Sequence, residues 1–314
     1  MEIFGWTLVL AAGIALLVKG ADLFVGGASG LAGRLGIPQL VIGLTVVAMG
    51  TSMPEAAVSI SAVLKGNADI TIGNVLGSNI LNILIILGIS SAITPLAVAG
   101  STVRYELPFL TAISVLLLIQ GFDGSIGLAD GIVQTFIFIL YFVYLFITMK
   151  RSSGEEQTNH NETGSFKYGK LWQIIVSCLL GLAMTVGGSN IVVDAASEIA
   201  TKLGMTERFI GLTIVALGTS LPELVTSVTA ARKGTHDIAI GNIVGSNIFN
   251  ILFVVGLSAL IHPVGFTENF RFDSIVAAAA ALFLLLFCAK EKRLNRWHGA
   301  LMLTGYAAYF LVIL

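Results

Sequence analysis

The chain has 314 residues, of which 56% are hydrophobic and only 11% charged, with a formal net charge of −1. Soluble domains carry about 25% charged residues, so this chain has too little polar surface to cover a water-soluble globule, and a soluble enzyme is excluded. A near-neutral charge without a basic block also excludes nucleic-acid binding.

Apolar runs long enough to cross a bilayer, about 20 residues each, lie at 3–32, 39–64, 71–95, 105–120, 128–149, 171–201, 208–231, 238–261, 272–289 and 297–314. They are continuous, whereas a β-barrel would show alternating strands of about ten residues. The reading is an all-α polytopic membrane protein of ten transmembrane helices. The N-terminal run lacks the positive segment of a cleaved signal peptide and is taken as the first span. With the N-terminus outside, the inside loops hold twelve Lys and Arg and the outside loops four, so both termini are predicted outside the cytoplasmic membrane. The polar stretch Arg151–Tyr168 reads as a flexible cytoplasmic linker joining a first half, 1–150, to a second, 169–314. Within it Asn161-Glu162-Thr163 matches a glycosylation acceptor, which on an inside loop reads as a chance match. Cys178 and Cys288 sit in apolar runs, with neither disulfide nor metal spacing.

A shift of 168 residues aligns the two halves without a gap from Gly20 and Gly188 to Pro95 and Pro263. Between Ile42 and Ser90, 29 of 49 positions equal their partners in 210–258. Five spans per half is an odd number, so the second repeat is predicted to enter the membrane inverted. Inverted repeats with interrupted helices mark secondary transporters, whose ion site lies between the repeats near the midplane.

The most similar segment is Gly50-Thr51-Ser52-Met53-Pro54-Glu55, repeated as Gly218-Thr219-Ser220-Leu221-Pro222-Glu223. An intramembrane carboxylate costs roughly 2.5–3.5 kcal/mol even on a lenient insertion scale and is a functional candidate by default. A Pro kink steadied by Ser and Thr explains Pro54 and Ser52 but not Glu55. Pro54 and Pro222 are expected to free the carbonyls of Gly50 and Gly218, which at membrane depth must face protein, water or an ion. The second element is Gly73-Asn74-Val75-Leu76-Gly77-Ser78-Asn79-Ile80-Leu81-Asn82, repeated from Gly241 to Asn250. Ser78 and Asn82, like Ser246 and Asn250, share a helix face. Such residues can simply bridge helices; beside two buried glutamates they read better as ligands. The inventory is all oxygen, as hard cations such as Ca²⁺ require with 6–8 ligands, and it lacks the Cys and His expected for zinc, copper or iron.

These twin segments resemble the two α-repeats of the cation/calcium exchanger superfamily, in particular its prokaryotic sodium/calcium exchangers, and the resemblance runs the length of the chain. It implies that Glu55 and Glu223 are the central Ca²⁺ ligands, assisted by Thr51 and Thr219. Ser52, Ser78, Ser220 and Ser246, with carbonyls near Ala48 and Ala216, would complete the Na⁺ positions, and Asn82 would stand opposite Asn250. Several exchangers carry Asp where this chain has Asn250, and the potassium-dependent branch is associated with that Asp, so potassium co-transport is not expected. Two carboxylates with one Ca²⁺ are neutral, and with three Na⁺ carry +1, so a three-for-one exchange would be electrogenic. The function implied is a Na⁺/Ca²⁺ antiporter working by alternating access, with no cofactor, Ca²⁺ and Na⁺ as the transported ions, and a monomer sufficing. A proton-coupled exchanger, a cation channel and an intramembrane acid–base enzyme are the rivals; the last lacks a nucleophile–base pair.

Other polar residues read plainly. Lys19 and Asp22 are expected to pair along the first helix. Asp194 and Glu198 are assigned to an aqueous surface, and Asp69 and Asp237 to helix N-terminal caps. His160, His236, His262 and His298 share no spacing and are assigned nothing. The first and sixth helices, rich in small residues, are candidates for a bundle that slides over the rest.

Overall fold

The computed structural model describes residues 3–155, 170–205 and 216–313, and they are largely helical. In hydrocarbon every backbone polar group must be satisfied within its own segment, and continuous apolar sequence achieves this only as helix. In chain order the helices are α1 (Ile3–Leu35), α2a (Gln39–Thr51) and α2b (Met53–Leu64), α3 (Ile70–Ile93) and α4 (Thr102–Asp123). After them come α5 (Leu128–Glu155), α6 (Leu171–Lys202), α7a (Ala216–Thr219) and α7b (Leu221–Arg232). The chain continues through α8 (His236–Ile261), α9 (Glu268–Glu291) and α10 (Arg296–Ile313).

Among the described residues seven helices are long and apolar enough to cross a membrane, and eight if α2a and α2b, bent by 48°, form one broken span. The protein is an all-helical, multi-pass membrane protein. The span expected at 208–231 begins among residues outside those described, and most of the expected linker, with its glycosylation match and His160, also lies outside them.

Two helices, α1 and α6, pack on each other along their length through backbone contact. A Cβ at Gly20 would lie 2.6 Å from the Thr185 nitrogen, and one at Gly188 would lie 2.6 Å from the Leu17 nitrogen. Only glycine permits such an approach. Behind this pair, α2a, α3 and α8 form the core, where Ile72, Val75, Ile80, Ile243, Val244 and Ile248 are fully enclosed.

Short strands β1 (Leu96–Ala97), β2 (Ser125–Ile126), β3 (Val264–Gly265) and β4 (Arg293–Leu294) join the loops. β1 pairs antiparallel with β4, and β2 with β3, so each pair takes one strand from each half of the chain. The residues of β1 and β3 differ by the same 168 positions as the repeat, and so do those of β2 and β4.

Asp22 does not pair with Lys19. Its carboxylate lies 2.6 Å from Lys233 Nζ, just past the end of α7b, and Nζ also reaches the Asp22 carbonyl at 2.7 Å. Asp237 stands in the first turn of α8 without a side-chain cap, as Thr235 occupies the N-cap position. Asp194 and Glu198 are exposed.

Candidate ion-binding site

The two Gly-Thr-Ser-x-Pro-Glu segments break their helices at matching residues. Ser52 has φ −85° and ψ 7°, Ser220 has φ −91° and ψ 4°, and a Pro stands in the first turn of each helix that resumes. Glu55 and Glu223 therefore fall in the first turns of α2b and α7b, where amide dipoles favour a carboxylate. Each glutamate is 1% exposed, and among the described residues no Lys, Arg or His forms an ion pair with either.

Each carboxylate is held by a serine of the other half. Ser52 Oγ donates to Glu223 Oε1 at 2.8 Å, and Ser220 Oγ donates to Glu55 Oε1 at 3.3 Å. Ser220 also lies 3.4 Å from Ser78 Oγ on α3. Thr51 Oγ1 reaches Asn242 Oδ1 at 3.0 Å, and the Thr219 hydroxyl lies against the Glu55 carboxylate. Ser246 Oγ donates to the Ala48 carbonyl at 3.4 Å, which also accepts the Ser52 N–H at 3.0 Å.

Asparagines complete the frame. Asn74 Nδ2 donates to Ser59 Oγ and to the Glu55 carbonyl, at 2.9 and 3.1 Å. Asn242 repeats this with Ser227 and Glu223, at 2.9 and 3.4 Å. Asn79 and Asn247, partners in the repeat, each donate to the other's carbonyl, at 3.4 and 3.2 Å. Asn82 Nδ2 donates to Asn247 Oδ1 at 2.9 Å, and Asn250 Nδ2 to Asn79 Oδ1 at 3.2 Å. Asn82 and Asn250 each begin a π-helical turn, Asn82–Leu87 and Asn250–Val255. Such turns recur at functional sites because they re-aim side chains and backbone.

This bonding leaves four buried oxygens without a hydrogen-bond partner: Glu55 Oε2, Glu223 Oε2, Asn82 Oδ1 and Asn250 Oδ1. Each is an acceptor whose amide or carboxylate partner atom is already engaged, and a buried acceptor left bare costs roughly 1–3 kcal/mol. Four such atoms on two repeated pairs of residues are oxygen acceptors of the kind a hard cation takes. Among the described residues no three His, Cys, Asp or Glu come together, so neutral oxygens would have to supply most of a coordination shell.

The sequence profile described as sodium/calcium exchanger protein matches residues 5–148 and 173–314. The chain belongs to the sodium/calcium exchanger family. Among its relatives, the sodium/calcium exchanger MaX1 of Methanosarcina acetivorans is 33% identical over 346 residues, covering 98% of this chain and 97% of MaX1. The inner membrane protein YrbG of Escherichia coli is 36% identical over 322 residues, covering 98% of this chain and 96% of YrbG. The solved structure of the sodium-calcium exchanger NCX_Mj soaked without Na⁺ and Ca²⁺ superposes with a TM-score of 0.86 at 30% identity over 100% of both chains.

Hydrogen bonds join Glu55, Ser220 and Ser78 in one set, Glu223, Ser52, the Ala48 carbonyl and Ser246 in a second, and Asn82 and Asn250, through Asn247 and Asn79, in a third; Thr51 bonds Asn242, which also donates to the Glu223 carbonyl. Ala216 opens α7a, two residues before Gly218. The Gly218 carbonyl freed by Pro222 accepts a 2.8 Å hydrogen bond from Ser189 Oγ of α6, so of the three partners expected for it, protein, water or an ion, it has protein. Sequence reasoning gave no individual role to Asn74, Asn79, Asn242, Asn247, Ser59 and Ser227, although every one is identical to its partner in the repeat.

Proposed function

We propose that the chain exchanges Na⁺ for Ca²⁺ across the cytoplasmic membrane by alternating access, using Glu55 and Glu223 as shared central ligands. The observation that carries this reading is the reciprocal pairing of two buried carboxylates with serines of the opposite half, which leaves unpartnered oxygens and, among the described residues, no cation paired with them. Thr51, Thr219, Ser52, Ser78, Ser220, Ser246, Asn82, Asn250 and the carbonyls of Ala48 and Ala216 would supply the remaining Ca²⁺ and Na⁺ positions. Two negative charges balance one Ca²⁺ and leave +1 with three Na⁺, so a three-for-one exchange is electrogenic. An empty site is costly to move through hydrocarbon, which couples the two ion fluxes.

A count of ten spans in two inverted five-helix repeats is part of the proposal, and the loop strands support it. Strands that hydrogen-bond must lie on the same side of the membrane, so an even number of crossings must separate them. Between β1 and β4 the chain passes through α4, α5, α6, α7, α8 and α9; between β2 and β3 it passes through α5, α6, α7 and α8. Leaving out the α7 segment makes both counts odd. Five crossings then separate β1 from its repeat partner β3, which puts the halves in opposite orientation. With both termini outside, residues 1–150 and 169–314 form the repeats and 151–168 the cytoplasmic linker.

The α1–α6 pair is the candidate moving element. Cross-linking Asp22→Cys on α1 to Lys233→Cys beyond α7b should arrest exchange, and undiminished exchange would reject a sliding bundle. The function itself is tested by Ca²⁺ uptake into sodium-loaded proteoliposomes with choline outside. Uptake that requires internal Na⁺ supports the proposal. Uptake driven by a pH gradient would move the protein to proton coupling, and Ca²⁺ conductance without counter-ion would make it a channel.

A further inference from the structure

A second polar cluster lies away from the ion site, between α4 and α5. A cavity of about 390 Å³, within the size range of small-molecule sites, roughly 300–1,000 Å³, is bounded by Arg104, Glu106, Phe109, Leu140, Tyr141 and Tyr144. Its mouth is on the outer surface of the helices, where Tyr105 and Leu140 are each 50% exposed. Ionisable groups lie beneath its floor. Glu106 is 2% exposed and Tyr141 is 6% exposed. Tyr144 donates to Glu106 Oε1 at 2.8 Å, while Glu106 Oε2 and the Tyr141 hydroxyl have no partner.

The walls are aromatic. Phe109 and Tyr141 stack with centroids 5.0 Å apart, and Arg104 lies over the Tyr105 ring at 5.6 Å. Among the described residues no carboxylate pairs with Arg104, and no cation pairs with Glu106. The second half builds a related acid–tyrosine bond, Tyr309 to Asp273 at 2.9 Å, within Arg271-Phe272-Asp273. There, however, the arginine is committed to the Phe122 carbonyl at 3.0 Å. Helix-to-helix bonding therefore accounts for Glu106 Oε1 but leaves Oε2, the Tyr141 hydroxyl, the cavity and Arg104 unexplained.

We propose that this cavity binds the head of an ammonium-bearing amphiphile, with the ammonium on Glu106 and Tyr141 and any accompanying phosphate on Arg104. A buried carboxylate calls for a cation, and the aromatic walls attract one through their faces. The bare acceptors call for N–H donors, which a primary ammonium has and a quaternary one lacks. Glu106 reaches the bound group by rotation about its last, soft torsion. Two sources share this chemistry: an aminophospholipid of the surrounding bilayer and a free amphiphilic amine.

The test uses the purified full-length protein in detergent, with thermal unfolding followed during titration with short-chain phosphatidylethanolamine, phosphatidylcholine, phosphatidylglycerol and octylamine. Phosphatidylethanolamine binding at least tenfold tighter than the other two lipids, and displaced by octylamine, assigns the site to the lipid. Octylamine binding without phosphatidylethanolamine binding upholds the ammonium site and assigns it to free amines. Glu106→Gln should weaken whichever ligand binds at least tenfold, and Leu140→Trp, which fills the exposed mouth, should do the same if the Gln variant does not fold. Equal affinity for the three lipids with no octylamine binding would overturn the proposal. So would wild-type binding by both variants.

Discussion

Glu223→Gln removes one of two buried charges but keeps an oxygen where the Ser52 hydroxyl donates at 2.8 Å. At an effective dielectric of about 20, a unit charge about 4 Å away contributes roughly 4 kcal/mol to binding each Na⁺ and roughly 8 kcal/mol to binding Ca²⁺. At 1% exposure, salt screens little of this. If relaxation of the surrounding dipoles returns half of the loss, about 4 kcal/mol remains for Ca²⁺, roughly a thousandfold in affinity, and about 2 kcal/mol for each Na⁺. Calorimetric titration of the purified variant with Ca²⁺, and with Na⁺ in competition, measures both. Glu223→Asp, which keeps the charge, should lose less Ca²⁺ affinity than Gln does. A folded Gln variant binding Ca²⁺ within tenfold of wild type, or losing Ca²⁺ and Na⁺ affinity equally, would refute the view that these charges select the divalent ion.

Ser52→Ala leaves Glu223 Oε1 without its donor, and Ser220→Ala does the same to Glu55 Oε1; each should alter ion affinity by about 1–3 kcal/mol, read by the same titration. Gly188→Ala places a Cβ 2.6 Å from the Leu17 nitrogen at the α1–α6 crossing and should destabilise by about 1–3 kcal/mol, seen as a lower thermal midpoint. Asp22→Asn breaks the ion pair to Lys233, but the Asp22 side chain is 64% exposed, so its effect on stability should stay below about 1 kcal/mol and shrink with added salt.

The twin glutamates, the breaks beside Ser52 and Ser220 and the Asn82–Asn250 correspondence were legible because duplication repeats them at one fixed spacing. That same spacing carried Asn74 and Asn242, yet their work is to anchor the resumed helices through Ser59 and Ser227, a contact between helices that no local pattern reveals. Asp22 shows the limit well. Lys19 lies within helical reach in sequence, but packing of α1 against α7b brings Lys233 to it instead. Ser189 is a parallel case, since only the α6–α7 approach places its hydroxyl on the Gly218 carbonyl. The loop strands are two residues each and pair across the halves, too short for a periodic signal and dependent on the helices being in place.

Sodium efflux from loaded proteoliposomes, followed with a radiolabel while Ca²⁺ is added outside, tests the exchange itself. Efflux stimulated by external Ca²⁺, matched by Ca²⁺ entry and absent in Glu55→Gln and Glu223→Gln, is the predicted result. Ca²⁺ entry that leaves Na⁺ efflux unchanged would contradict it.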